Sequence, residues 1–464
     1  MESFDLVVLG AGSGGYACAL RAAQLGLSVA LVEKDKVGGT CLHRGCIPTK
    51  ALLHAAEVAD AARDGARFGV HATLEKVDLA GVRSYADGVV SKLYRGLTGL
   101  VAARGITVVH GAGRLVHDAD GPAVAVGSDL YRAPAVVLAT GSAPRRLPGV
   151  EVDGDVVLTS DEALRLDRLP GSAVVLGGGV VGSEFASAWR SFGVEVTLVE
   201  ALPRLVPAEE PASSAALAKA FRARGIDVRT GVALEACLQR PGGVEVTLTD
   251  GGTLTADVLL VAVGRVGLSA GLGYPEAGVG LDRGLVAVDE RLQTAVPGVY
   301  AVGDLVPGFQ LAHRGFAHGI FVAEEVAHRS GRLPHAPVPP LDRDLPRVTY
   351  SDPEVASVGL TEAAAREAYG DVATLTYDLA GNGRSQILNT AGFVKLVRRV
   401  DGPVVGVHMV GSRVGELIGE AQLITGWDAY PQEVAGLQHA HPTQHEALGE
   451  AHLALAGKPL HVHG

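Results

Sequence analysis

Cys41 and Cys46 are two of the four cysteines in this chain of 464 residues, and both lie in the stretch GGTCLHRGCIPTK, residues 38–50. Residues five apart in a straight helix rise about 7.5 Å, beyond the ~7 Å Cα separation that a disulfide allows. In a strand they would lie about 16 Å apart. A loop that folds back into the start of a helix can bridge them, and glycines with Pro48 favour such a turn. Cys46 would then lie at a helix N-terminus, where the helix dipole lowers a thiol pKa.

Four interpretations of the pair are open: a structural disulfide, half of a metal site, two unrelated thiols, or a redox couple. A disulfide closing so small a loop would contribute only about 2 kcal/mol, which is little for a chain of this length. A zinc site needs two further ligands in register, and Cys18 and Cys237 stand alone in apolar segments. The pattern therefore favours a redox couple.

His441 and Glu446 form the second candidate pair, in the stretch HAHPTQHE at residues 439–446. His441 could act as a general base on a thiol, with Glu446 orienting its imidazole. The structural alternative is that Thr443 and Glu446 form a capping box for a helix over residues 446–456. A metal site built from His439, His441 and His445 would require three histidines to converge around a proline turn.

Two glycine-rich turns predict the elements that position this chemistry. Gly10–Gly15 (GAGSGG) lies between a strand over 4–9 and a helix over 15–25, and the next strand, 28–33, ends at Glu33. Such a turn allows a pyrophosphate to approach the backbone at a helix N-terminus, and the acid accepts a ribose hydroxyl. The alternative is a tight turn without a ligand.

The same design recurs at Gly177–Gly182, between a strand over 173–176 and a helix over 182–192. Glu200 ends the following strand, 195–200. An acid at this position repels a 2′-phosphate, so the pattern favours NAD over NADP, unless Glu200 is only a solvated strand end. Two such units about 167 residues apart indicate two nucleotide-binding domains.

Composition narrows the class of protein. The formal charge of −11 disfavours nucleic acid as a partner, and 47% hydrophobic residues indicate a globular protein. The length of 464 residues predicts two to four domains. No stretch reads as a secretory signal or a membrane span, so we expect a cytoplasmic protein that does not bind membranes. The proline-rich stretch 333–341 predicts a linker to a third, α+β domain with strands at 393–397 and 404–410.

Taken together, these motifs resemble those of the flavin-dependent pyridine nucleotide–disulfide oxidoreductases, and most closely the members that oxidise dihydrolipoyl groups. The resemblance covers nearly the whole chain. It implies an α/β fold with two Rossmann-like FAD- and NAD-binding domains and an α+β C-terminal dimerisation domain. The implied boundaries are 1–146 (FAD, first segment), 147–266 (NAD), 267–336 (completing the FAD domain) and 337–464 (dimer interface).

The resemblance also assigns roles to residues that match the family's motifs. The reaction would use Cys41, Cys46, His441 and Glu446, with Lys50 and Glu184 as an ion pair beside the flavin ring. The implied FAD contacts are Gly10, Gly12, Ser13, Gly14, Gly15, Glu33, Lys34, Gly39, Thr40, Lys50, Gly113, Thr140, Gly141, Ser142, Gly303, Asp304, Leu311, Ala312 and His313. The implied NAD contacts are Gly177, Gly179, Val180, Val181, Gly182, Glu184, Glu200, Val232, Ala262, Gly264 and Arg265.

The implied activity is oxidation of dihydrolipoyl groups with transfer of hydride to NAD⁺, by a homodimer with shared active sites. The implied partners are a lipoyl-bearing carrier domain and the E2 core of a 2-oxo acid dehydrogenase complex. Another NAD(P)H–disulfide oxidoreductase and a non-catalytic flavoprotein subunit are the alternatives. The chain departs from the family pattern at a few positions: His43, Arg44, Thr49, residues 266–268, His318, Gln444 and His445. Among these, His43 and Arg44 stand beside the thiols and could change the thiol pKa or the redox potential.

Overall fold

The computed structural model describes residues 2–461, which divide into two compact units. The first unit comprises the chain up to Ala51 together with Ala80–Arg145 and Arg265–Asp342. The second comprises Leu52–Leu79, Arg146–Gly264 and the chain from Arg343 onward. The chain therefore leaves the first unit and returns to it.

Helices are numbered here in chain order over the described residues. They are α1 Ser13–Gln24, α2 Gly39–Arg44, α3 Cys46–Asp64, α4 Leu79–Ala103, α5 Ser160–Ala163, α6 Val180–Ser191, α7 Pro211–Ala223, α8 Ala312–Arg329, α9 Glu362–Tyr369, α10 Gly383–Ile387, α11 Val414–Gly426, α12 Pro431–Val434 and α13 Glu446–Leu455. None of these helices is both long and apolar enough to cross a bilayer.

Strands are numbered in the same way. They are β1 Glu2–Ser3, β2 Leu6–Leu9, β3 Val29–Glu33, β4 Thr107–His110, β5 Gly113–Asp118, β6 Gly121–Val126, β7 Asp129–Arg132, β8 Ala135–Leu138, β9 Ser142–Pro144, β10 Val157–Leu158, β11 Ser172–Leu176, β12 Glu195–Glu200, β13 Asp227–Thr230, β14 Leu234–Arg240, β15 Gly243–Leu248, β16 Thr253–Ala256, β17 Val258–Val261, β18 Arg265–Gly267, β19 Leu281–Asp282, β20 Leu285–Val286, β21 Val299–Ala301, β22 Arg347–Thr349, β23 Glu354–Gly359, β24 Val372–Asp378, β25 Phe393–Arg399 and β26 Val404–Gly411.

The first unit is built on a five-stranded sheet in the order β21-β8-β2-β3-β4, whose neighbouring strands all pair in parallel. The central strands are short apolar runs such as LVVL in β2, and all four of its residues are buried. Buried faces on both sides are what a parallel sheet covered by helices requires. Each fully buried Val or Leu side chain contributes roughly 1.5–3 kcal/mol, so these runs anchor the loops at the strand ends.

Helices α1 and α8 pack closely against each other in this unit, because glycines remove the side chains that would separate them. A Cβ on Gly319 would lie 2.2 Å from the carbonyl oxygen of Gly14. Arg21 and Glu324 add an ion pair of 2.7 Å between the same helices. This packing fixes the N-terminus of α1 at the end of β2.

The second unit repeats the topology of the first in its own parallel sheet, β10-β17-β11-β12-β13. In each unit a three-stranded antiparallel meander, β5–β7 or β14–β16, leads directly into a parallel strand next to the first one. The prediction of two parallel α/β sheets is confirmed. The second unit also contains the antiparallel sheet β22-β23-β26-β25-β24, packed with helices, which confirms the predicted α+β region.

Candidate active site

The cysteine loop consists of two helices separated by one glycine. Helix α2 carries Cys41 and ends at Arg44, and α3 begins at Cys46, as the position of Pro48 predicted. A Cβ on Gly45 would lie 3.0 Å from the carbonyl oxygen of Thr40 and 3.2 Å from Cα of Cys41. A side chain there would crowd the preceding turn. The glycine therefore allows the chain to fold back, which the spacing of the cysteines required.

The thiols of Cys41 and Cys46 are in contact and do not form an S–S bond. The hydrogen bond with Cys46 raises the pKa of Cys41 well above its ordinary value; burial adds to this, and the charge of Lys50 opposes it. Two thiols at hydrogen-bonding distance, one of them at a helix N-terminus, can exchange with a disulfide. Tyr16, which sequence reasoning missed, lies beside them. Burial and the charges of both cysteines raise its pKa to about 12.

His43 and Arg44 make contacts with residues outside the cysteine pair. Nε2 of His43 lies 2.9 Å from the carbonyl oxygen of Val37, and its ring makes an edge contact with Tyr94, with centroids 5.1 Å apart. Arg44 pairs with Asp35 at 2.5 Å. These contacts hold α2 against residues 35–37. The expectation that the two residues change the thiol pKa or the redox potential stays a prediction.

Thr49 is the third departure in this loop. Its hydroxyl donates to the carbonyl oxygen of Gly45 at 2.7 Å, and its backbone N–H donates to the same oxygen at 3.1 Å. Both bonds close the first turn of α3, so this side chain supports the start of the helix that carries Cys46.

His441 and Glu446 form the predicted hydrogen bond. Nδ1 of His441 lies 2.7 Å from Oε1 of Glu446, and the histidine side chain is 78% exposed. Because the carboxylate holds Nδ1–H, Nε2 is the nitrogen that can take a proton from a substrate. Burial opposes ionisation of Glu446, but hydrogen bonds from Thr443 and His441 outweigh it, and its pKa is lowered. The glutamate is therefore a carboxylate at neutral pH.

The capping box predicted for Thr443 and Glu446 is only half correct. Oε2 of Glu446 accepts from the backbone N–H of Thr443 at 2.7 Å. The Thr443 hydroxyl, however, donates to the carbonyl oxygen of Ala440, and α13 begins at Glu446 with no side-chain cap. A preceding carbonyl is the competing partner that a threonine hydroxyl can choose. Among the described residues, no cluster of three or more His, Cys, Asp or Glu side chains is arranged to hold a metal.

The first glycine-rich turn leaves no room for side chains. Gly10 has a φ of +102°, and a Cβ on Gly15 would lie 1.8 Å from the carbonyl oxygen of Gly10. The carboxylate of Glu33 accepts from the backbone N–H groups of Ala11 and Asp35, each at 2.8 Å. Backbone N–H groups at the start of α1 remain available for a pyrophosphate, as at other helix N-termini.

The second turn reproduces these contacts. A Cβ on Gly182 would lie 1.8 Å from the carbonyl oxygen of Gly177, and Glu200 accepts from the N–H groups of Gly178 and Leu202, each at 2.7 Å. Glu33 and Glu200 are 9% and 8% exposed. The alternative of a solvated strand end at Glu200 is therefore wrong. A carboxylate has about four lone-pair sites, so each can still accept a ribose hydroxyl.

A polar cluster joins three parts of the first unit. The Ser142 hydroxyl lies 2.5 Å from Oδ2 of Asp304, and Nε of Arg265 donates to the same hydroxyl at 2.7 Å. The Thr140 hydroxyl donates a hydrogen bond to the carbonyl oxygen of Leu268 at 2.6 Å and lies 3.0 Å from the Tyr274 hydroxyl, with which it forms a second hydrogen bond. Tyr274 was not singled out from the sequence, because its partner lies 134 residues away.

The other predicted residues lie on or next to helices and strands of both units. Glu184 is buried on α6 and accepts from the backbone N–H of Tyr350 at 3.0 Å. His318 is buried on α8, its Nδ1 accepts from Gly303 at 3.3 Å, and burial lowers its pKa to about 4. The structure places the remaining ones as follows: Gly12, Ser13 and Gly14 at the start of α1; Lys34 after β3; Gly39 and Thr40 on α2; Lys50 on α3; Gly113 in β5; Gly141 before β9; Gly179, Val180 and Val181 at the start of α6; Val232 before β14; Ala262 and Gly264 between β17 and β18; and Leu311, Ala312 and His313 at the start of α8.

The sequence of this chain matches a known protein family and known relatives. Residues 4–319 match the family "Pyridine nucleotide-disulphide oxidoreductase", and residues 345–452 match its dimerisation domain. A dihydrolipoyl dehydrogenase of Bacillus subtilis is 40% identical over 99% of this chain and 99% of its own length. One from Thermus scotoductus is 39% identical over 100% of this chain and 99% of its own.

Solved structures agree with these matches. LpdA from Mycobacterium tuberculosis superposes with a TM-score of 0.89 at 27% identity, covering 98% of this chain and all of the other. The HOCl-induced flavoprotein disulfide reductase RclA from Escherichia coli, solved as a Cu(II) complex, has a TM-score of 0.85 at 26% identity, with 98% and 100% coverage.

Proposed function

Because the chain belongs to the pyridine nucleotide-disulphide oxidoreductase family, we propose that Cys41, Cys46 and His441 carry out its oxidation of dihydrolipoyl groups by NAD⁺. The enzyme is an oxidoreductase of the dihydrolipoyl dehydrogenase type and uses FAD and NAD. The observation that carries the proposal is the contact between the two thiols where α3 begins.

The reaction begins at His441. Its Nε2 takes a proton from one thiol of the dihydrolipoyl group, and Glu446 stabilises the resulting imidazolium. The substrate thiolate attacks the Cys41 sulfur of a Cys41–Cys46 disulfide, which breaks that bond and releases Cys46 as a thiolate. The second substrate thiol then loses its proton and attacks the lipoyl sulfur of the mixed disulfide, which displaces Cys41; this proton and the one held by His441 account for the two cysteine thiols that result. Oxidised lipoyl leaves, and two electrons remain on the enzyme as a dithiol.

The chain's own residues hold the cofactors that complete the cycle. FAD, when bound, supplies the two-electron carrier between the dithiol and NAD⁺. The cradle of Gly10–Gly15 with Glu33 and Asp304 fits FAD, and the cradle of Gly177–Gly182 with Glu200 fits NAD. Lys50 and Glu184 would flank the flavin ring. Residues 1–146 and 267–336 thus form the FAD domain, and 147–266 form the NAD domain.

Residues 337–464 form the dimer-interface domain in this proposal. The match to the family's dimerisation domain supports a homodimer. In it, His441 of the partner subunit serves the cysteines of the first, so the active sites are shared. The substrate is a lipoyl group on a carrier domain of a 2-oxo acid dehydrogenase complex, bound to its E2 core, and the location is cytoplasmic.

The test is formation of NADH from NAD⁺ and free dihydrolipoamide by the flavin-loaded enzyme. We expect turnover at a rate typical of enzymes, about 1–10³ s⁻¹. A flavin-loaded dimer that reduces no NAD⁺ from this substrate would contradict the proposal. The comparison reaction uses glutathione as the thiol–disulfide substrate and NADPH as the nucleotide, because Glu200 disfavours a 2′-phosphate.

A further inference from the structure

A second histidine–carboxylate pair, His439 with Glu420, holds the segment of residues 439–446, which we call the His441 loop. Nε2 of His439 lies 2.7 Å from Oε1 of Glu420, which projects from α11. The two side chains are only 12% and 23% exposed, so solvent screens this pair much less than a surface ion pair. The hydrogen bond with Glu420 raises the pKa of His439, and the imidazolium form is favoured.

The other side of the His439 ring rests on α13. A Cβ on Gly449 would lie 2.5 Å from Nδ1 of His439, so the ring fits only because this position lacks a side chain. The ring is thus held between a carboxylate on α11 and the backbone of α13, the helix that carries Glu446.

His439 holds the loop on the N-terminal side of His441, and two side-chain amides hold it on the C-terminal side. Gln444 donates to the carbonyl oxygen of Ser412 at 2.7 Å, and Asn382 donates to that of Thr443 at 3.0 Å. Both bonds hold residues that follow His441 in the chain, Thr443 and Gln444, whereas His439 precedes it. His441 itself is exposed, so its backbone position depends on what holds the chain on each side.

We propose that His439 and Glu420 form a positioning pair that holds the loop so that His441 stays aligned on Glu446. This role rests on the proposed function, in which His441 is the general base. The pair does not touch the substrate. It acts by fixing the position of the base, and a misplacement of about 1 Å can reduce a rate by up to roughly a hundredfold.

The charged and titratable groups around His439 set the pH behaviour of the pair. They are Glu420 on α11, His441 and His445 in the loop, and Glu446 and His452 on α13. Loss of alignment would separate His441 from Glu446, whose negative charge favours the imidazolium. Proton transfer from the substrate to His441 should therefore slow when the pair is broken.

The test compares His439→Gln and Glu420→Gln with His461→Gln, which alters a different histidine–carboxylate pair, the one with Glu450 of α13 at 2.9 Å. For the first two variants we expect kcat/KM for dihydrolipoamide to fall by about ten- to hundredfold. NADH should reduce the flavin at the wild-type rate, the double variant should be no worse than either single variant, and His461→Gln should be unaffected.

An unchanged kcat/KM for dihydrolipoamide, or an equal loss in both half-reactions, would overturn the positioning role. The Glu420→Gln variant keeps the shape of the side chain, so it tests the role even if the His439 variant folds poorly. His441→Gln separates the two claims. If that variant keeps its dihydrolipoamide activity, the proposed function is wrong together with this inference; if it loses activity while His439→Gln does not, only this inference fails.

Discussion

At the scale of single residues, the chemistry depends on which atom of each side chain is held and which is left for the substrate. Glu446 holds Nδ1 of His441, and the exposed ring offers its other nitrogen. Cys46 lies at a helix N-terminus, and Cys41 is in hydrogen-bonding contact with it. In the proposed mechanism these placements give distinct tasks to residues that composition alone would treat as equivalent.

Glu446→Gln should reduce dihydrolipoamide oxidation by about 10²-fold or more, because a neutral amide no longer stabilises the imidazolium that forms when His441 takes a proton. The pKa of Glu446 is below its ordinary value. In the wild type its negative charge is therefore fully present at any pH above the ordinary pKa, and it is lost as the pH falls through the lowered pKa. A pH profile of kcat/KM measures both effects. Wild-type behaviour of the variant would contradict the role of the dyad.

Glu200→Gln should raise KM for NAD⁺ about tenfold and reduce the preference for NAD⁺ over NADP⁺, because the amide no longer repels a 2′-phosphate. Glu33→Gln changes the equivalent residue of the other turn, where the carboxylate makes the same two backbone contacts. It should leave the ratio of kcat/KM for the two nucleotides unchanged. Equal ratios in the wild type and Glu200→Gln would show that the acid does not select the nucleotide.

At the scale of elements, each of the two parallel sheets has a tight glycine turn at the end of a buried strand, followed by a helix. This strand–turn–helix arrangement depends on residues six or fewer apart, so it can be predicted from the sequence. The predicted strand 195–200 and the helix start at residue 446 match the structure. Contacts between distant residues were beyond such reasoning: Ser142 and Asp304 are 162 residues apart, and nothing local pairs them. The directions of His43 and Arg44 also depend on packing, so their role could not be read from their position beside the thiols.

Gly15→Ala and Gly182→Ala provide a matched pair of tests. Each added methyl would lie 1.8 Å from a backbone oxygen, so the helix must shift away from its turn. Gly15→Ala should purify with little flavin, whereas Gly182→Ala should keep its flavin and bind NAD⁺ at least tenfold more weakly. Flavin absorbance per chain and NAD⁺ titration measure the two losses.

The control for this pair is Gly99→Ala on α4, where an added methyl meets nothing within 4 Å. It should keep both cofactors and gain up to about 1 kcal/mol of stability from its higher helix propensity. Flavin loss from Gly182→Ala, or its retention in Gly15→Ala, would contradict the assignment of the two turns.

At the scale of the whole molecule, the chain contains the cysteines in one compact unit and the histidine–glutamate pair in the other. A match to the family's dimerisation domain covers residues 345–452, which include His441 and Glu446. If the base acts on the partner's cysteines, the dimer is the smallest active form, and activity should depend on pairing two chains.

Hybrid dimers of Cys41→Ser and His441→Gln chains test this pairing. With shared sites, each hybrid combines intact cysteines from one chain with an intact histidine from the other, so one of its two sites is wild type. Purified hybrids should show about half the wild-type NADH formation, while each parent homodimer is nearly inactive. Hybrids as inactive as their parents would place the base and the cysteines of each site in one chain.

The central claim is that Cys41 and Cys46 are a two-electron couple that turns over, and an anaerobic reductive titration tests it most directly. The flavin-loaded wild type should take up two electrons per chain more than Cys41→Ser, because only the wild type has a disulfide to reduce besides the flavin. Absorbance of the flavin during stepwise addition of dithionite gives the count. Equal uptake by the two proteins would contradict the account.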